Sequence, residues 1–94
     1  MVEGTTKIVN RMGLHARPAS TFVVEAKKYD CTIKVGKVGS ASLVNAKSIM
    51  MILGASINKG DEIRIVCDGE DEEAALAAMI AAVDGGLGDL PDEE

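Results

Sequence analysis

The chain has 94 residues, 47% of them apolar and 27% charged, which suits one domain built around one core. A formal charge of −5, with one Tyr, one Phe and no Trp, offers neither the basic footprint nor the stacking rings that nucleic-acid binding needs. That charge is a difference of unlike parts: residues 1–67 hold 10 Lys/Arg and 5 Asp/Glu, net +5, whereas residues 68–94 hold 10 acids and no base, net −10. The longest uncharged apolar run covers ten residues, 74–83, against the roughly 20 that cross a bilayer, and the N-terminus has no apolar signal segment. A soluble cytoplasmic protein without membrane insertion is expected.

In chain order, residues 6–9 form a short β-rich segment. Pro18 opens a stretch with Ala19, Phe22, Val23 and Ala26 at the i, i+3, i+4, i+7 spacing of an amphipathic helix. Residues 31–35 alternate apolar and polar, Gly36-Lys37-Val38-Gly39 supplies turn residues, and residues 40–44 complete a hairpin. The spacing then predicts a short helix over 45–53, with Ile49, Ile52 and Leu53 on its buried face and Gly54 as its stop. Asn58-Lys59-Gly60-Asp61 reads as a turn, after which Ile63, Ile65 and Cys67 share one face of a last strand. A helix over 70–83 follows, with four acids in its first turn where the macrodipole favours them, and Gly85-Gly86 ends it.

The order β-α-β-β-α-β-α predicts an α+β fold, in which a four-stranded, mostly antiparallel sheet carries three helices on one face. The domain is expected to span 1–86, and the Gly-, Pro- and acid-rich residues 87–94 to form a disordered tail. Cys31 and Cys67 read as buried reduced thiols. With one His and no paired thiols, neither a metal nor a cofactor is expected.

The informative run is Gly13-Leu14-His15-Ala16-Arg17-Pro18-Ala19, where the sole histidine precedes a helix start. A helix N-terminus presents free N–H groups and a positive dipole end, which suit an anion and leave the imidazole a nucleophilic lone pair. Arg17 could add a bidentate guanidinium. Residue types alone leave two readings open, a phosphoryl acceptor or a surface His beside a solvated Arg.

Together with Asn45-Ala46-Lys47-Ser48-Ile49-Met50, that run resembles the HPr family, the histidine-containing phosphocarriers of the phosphoenolpyruvate-dependent sugar phosphotransferase system. The resemblance covers residues 7–83 and implies an HPr-like open-faced β-sandwich. It implies that His15 takes a phosphoryl group on Nδ1 from phosphorylated Enzyme I and passes it to sugar-specific enzyme IIA components, a relay with no small-molecule substrate of its own. Arg17 would stabilise the phosphohistidine. Ser48 would cap the short helix or, as in relatives that have an HPr kinase, be a regulatory phosphorylation site. Met50, Met51 and Leu53, with Lys27 and Lys47 near them, would form the partner-docking surface of a monomer.

The alternative implied is a regulatory member, of nitrogen or catabolite-control type, phosphorylated on His15 or Ser48 and acting by binding partner proteins such as a catabolite-control regulator. Asn10-Arg11-Met12-Gly13 is similar to the nitrogen-related branch. Met12 replaces a small polar residue that supports the active-site loop in many members. Two residues are added between Asp30 and Ser48, and the acidic tail extends past the last helix.

Overall fold

The computed structural model describes residues 1–87; the expected tail, apart from Leu87, lies outside the described residues. Seven elements follow in the expected order: β1 (Val2–Lys7), α1 (Ala16–Ala26), β2 (Thr32–Lys37), β3 (Val44–Asn45), α2 (Ile49–Gly54), β4 (Glu62–Asp68) and α3 (Glu72–Asp84). The strands lie in the order β1-β4-β2-β3, and every pairing is antiparallel. Val2 stands opposite Cys67 and Thr32 opposite Asp68, so β4 is flanked on both sides along its whole length.

Period-two alternation on β2 and β4 turns Ile33, Val35, Ile63, Ile65 and Cys67 towards the helices, where all five are buried. Phe22, Ala19 and Ala26 of α1 and Ala75, Met79 and Val83 of α3 close the core from above, and Ile52 of α2 joins it. The opposite face carries Glu3, Lys34, Glu62 and Arg64 into solvent. This is the α+β sandwich with one buried sheet face that the alternation predicts.

Boundaries shift where local bonds override periodicity. β1 begins at Val2, well before the expected residue 6, because its inward positions are Val2, Gly4 and Thr6 and not large apolar residues. Gly4 is small for a reason: a Cβ there would come 2.9 Å from Cδ1 of Ile80 on α3. β3 keeps only two residues, since the Ser42 N–H bonds the Ser40 hydroxyl 3.1 Å away and residues 40–43 run as a loop.

α2 starts at Ile49, four residues later than expected. Asn45 is committed to β3, and its side-chain oxygen takes the Lys47 N–H at 2.9 Å, which turns the chain before Ser48 caps the helix. So short a helix buries Ile52 alone. Ile49 and Leu53, which the spacing assigns to the core, are 37% and 43% exposed, because α2 leans on α1 and β3 with one side only.

α3 starts at Glu72, so two acids and not four occupy its first turn. Asp71 turns its carboxylate away to accept from the Asp30 and Cys31 N–H groups at 2.9 and 3.0 Å, while Glu72 accepts from Gly69 at 3.0 Å. Past the helix, Leu87 donates its N–H to Ala82 and is only 2% exposed. The buried unit thus takes in Leu87, one residue past the boundary read from composition.

Candidate functional site

His15 is the N-cap of α1. Its backbone is extended, at φ −133° and ψ 159°, and its side chain makes no capping bond. The next residue, Ala16, has φ +52°, a left-handed turn that non-glycine residues adopt at a cost, and it swings the chain into the helix directly under the half-buried imidazole. The amides at the head of α1 have no intrahelical acceptor, and Pro18 has no N–H to leave unpaired. Arg17 is exposed two residues from His15, and its guanidinium forms no ion pair among the described residues.

The loop before His15 is held from inside. Asn10 is fully buried and donates from Nδ2 to the Gly13 carbonyl at 2.9 Å, and Leu14, also fully buried, donates its N–H to the Ile57 carbonyl at 2.9 Å. The support that Met12 cannot give comes from Asn10, and Met12 stands exposed on the surface.

The Ile57 contact brings a second segment against the histidine. His15 Nε2 lies 2.7 Å from Oδ1 of Asn58. The Asn58 Nδ2 donates to the Ser56 carbonyl at 3.1 Å, and its backbone N–H donates to Oδ2 of Asp61 at 2.8 Å. That bond holds the Asp61 carboxyl below its ordinary pKa, against the opposing effect of desolvation and with help from Lys37, whose Nζ is 3.5 Å away. From sequence, Asn58 and Asp61 read only as members of a turn. Nothing local distinguishes a turn Asn from one that meets a histidine 43 residues away.

The remaining sequence candidates fall into two groups. Ser48 is half-buried and its Oγ accepts the Met51 N–H at 3.3 Å, a capping bond. Met50, at 79% exposure, leads an apolar surface on α2 that also includes Ile49, Met51 and Leu53. Lys47 stands two residues before α2, and Lys27 just past the end of α1. Lys27 is about 18 Å from His15 along the axis of the 11-residue α1, and Lys47 donates from Nζ to the Tyr29 carbonyl at 2.6 Å. Lys47 therefore ties the end of α1 to the segment before α2. Among the described residues no group of three His, Cys, Asp or Glu side chains converges to hold a metal.

A helix headed by an imidazole that makes no capping bond, with an exposed Arg in its first turn, is an arrangement for holding phosphate. The family model described as PTS HPr component phosphorylation site matches residues 2–84. The chain belongs to the HPr family of the phosphotransferase system. The phosphocarrier protein HPr of Haloferax volcanii is 40% identical over 78 residues, which cover 83% of this chain and 88% of that one. The HPr-C-His of Thermoanaerobacter tengcongensis has a solved structure that superposes with a TM-score of 0.89 at 39% identity, covering 96% of this chain and 99% of that one. The multiphosphoryl transfer protein of Vibrio cholerae is 40% identical over 86 residues, 90% of this chain, which spans only 22% of that relative's length. The HPr fold is thus found both as a separate chain and within a much longer one. No helix among the described residues is long and apolar enough to cross a membrane.

Proposed function

We propose that this chain is a cytoplasmic phosphocarrier that accepts a phosphoryl group on His15 from phosphorylated Enzyme I and delivers it to sugar-specific enzyme IIA components. The observation that carries the reading is the contact of His15 Nε2 with Asn58 at 2.7 Å, which leaves Nδ1 as the ring nitrogen without a hydrogen-bond partner among the described residues. The Nδ1 lone pair forms the new N–P bond while the donor's N–P bond breaks and its electron pair returns to the donor nitrogen. Charge on the transferring group meets the positive end of α1, and the Arg17 guanidinium, exposed beside it, closes on two phosphoryl oxygens. Reversal against an acceptor completes the relay, because imidazole is a good leaving group.

Docking uses the apolar surface of α2. Exposed Met50 and Met51 have flexible thioethers that repack against unlike partners, and Leu53 extends the same surface. Incubation with phosphoenolpyruvate and Enzyme I tests the reading. Acid-labile phosphate should form on the wild-type chain and be absent from His15→Ala. A wild type that stays unlabelled overturns it.

A further inference from the structure

We propose that Asn58 is a positioning residue for phosphoryl transfer, whose side-chain oxygen keeps the imidazole proton of His15 on Nε2 and so keeps the attacking lone pair on Nδ1. The role rests on the carrier reading above, while the hydrogen bond behind it does not. Donor and acceptor chemistry leaves one assignment. The Ser56 carbonyl 3.1 Å from the Asn58 amide can only accept, so the NH2 group of Asn58 faces Ser56 and Oδ1 faces His15. An amide oxygen also only accepts. At 2.7 Å from it, Nε2 must carry the hydrogen, and a neutral imidazole has just one N–H, so Nδ1 is bare.

Asn58 can impose this because it is itself held. Its backbone N–H is taken by Asp61 at 2.8 Å, and the neighbouring Ile57 carbonyl accepts from Leu14, one residue before the histidine. The two segments touch so closely that a Cβ on Gly13 would lie 2.7 Å from the Asn58 Cα. The imidazole and its hydrogen-bond acceptor are therefore mounted on two loops locked to each other.

The same bond serves both halves of the relay. When Nδ1 attacks, it gains phosphorus and the ring becomes cationic, with the proton still on Nε2. The bond to Asn58 is then charge-assisted and stronger than in the resting ring. When an acceptor nucleophile attacks phosphorus, the N–P electron pair returns to Nδ1 and the neutral Nε2–H ring is restored. No proton moves at either step. Asn58 thus selects one tautomer at rest and favours the protonated phosphohistidine, the form from which imidazole departs most readily.

Nitrogen-15 NMR of the unphosphorylated chain tests this without Enzyme I. In the wild type, Nε2 should show the signature of a protonated nitrogen and Nδ1 that of a bare one. In Asn58→Ala the Nδ1–H tautomer should appear, and exchange of the Nε2 proton with water should quicken by about tenfold, the usual scale for one lost hydrogen bond. Asn58→Asp, which keeps an acceptor, should restore the wild-type tautomer. With Enzyme I present, Asn58→Ala should lower kcat for labelling of His15 by up to about tenfold with KM unchanged. A wild-type ring protonated on Nδ1, an Asn58→Ala tautomer ratio equal to wild type, or a loss confined to KM overturns the proposal. Failure of Enzyme I to label the wild type instead removes the carrier reading, and the NMR result still decides the bond between Asn58 and His15.

Discussion

Gly13 sets the distance between the loop that carries His15 and the segment that carries Asn58. Its φ is +67°, and a Cβ would meet the Ile57 carbonyl oxygen at 2.8 Å as well as the Asn58 Cα, both backbone atoms that cannot swing aside. Gly13→Ala should therefore lower stability by about 1–3 kcal/mol, read as a fall in the urea midpoint, and should slow labelling of His15 more than that loss explains, because the loops separate. Residue type and spacing single out the histidine and the arginine as candidates, and it is the likeness to the HPr family that gives them the phosphoryl-acceptor reading. Asn58 is not singled out, since a polar residue beside Gly60 is sufficiently explained by the turn it makes. Met12 misleads in the opposite direction: it removes one support from the loop, yet the buried Asn10 carboxamide supplies another.

Among the elements, α2 shows most clearly what a helix of six residues can and cannot do. It buries one side chain and presents the rest, so its stability leans on its cap and its neighbours. Ser48→Ala removes the acceptor for the Met51 N–H and should cost about 1 kcal/mol or somewhat less, given a bond of 3.3 Å. Ser48→Asp keeps an acceptor there and adds a negative charge beside the exposed methionines. It should hold wild-type stability while slowing labelling by Enzyme I, as a phosphate on Ser48 would. Equal labelling rates for wild type and Ser48→Asp would count against regulation at this position. Periodicity located Ile52 correctly and misplaced Ile49 and Leu53, because spacing identifies a face but not how much of that face a neighbouring element covers.

Across the whole molecule, carboxylates fasten loops that the strands leave open. Asp71 joins the start of α3 to the entry of β2, Glu72 holds Gly69 and the N-terminal amine, and Asp61 holds Asn58. Backbone N–H bonds are the leading cause that holds all three below their ordinary pKa: from Asp30 for Asp71, from Gly69 for Glu72 and from Asn58 for Asp61. Because the folded-state values are the lower ones, the stabilisation is complete above the unfolded carboxyl range. It is lost as pH falls below about 4 through the depressed values. Urea midpoints measured from pH 6 to pH 2.5 should be flat at first and then fall. Asp71→Asn should have a shallower acid limb than wild type, and an unchanged limb would contradict the assignment.

The element order, the one-sided sheet, the helix after His15 and the family are all written in the residue pattern, because periodicity and short motifs are properties of neighbouring residues. The uneven charge of the sequence likewise foretold acids at the head of α3, although Asp71 there serves β2 and not the helix. Which partner each polar group takes emerges only once the chain is folded. The contact between His15 and Asn58, the tie from Lys47 to Tyr29 and the exposure of Leu53 each depend on segments far apart in the chain. Hydrogen bonds and burial are set by what packing brings within about 3 Å, and no local pattern carries that distance.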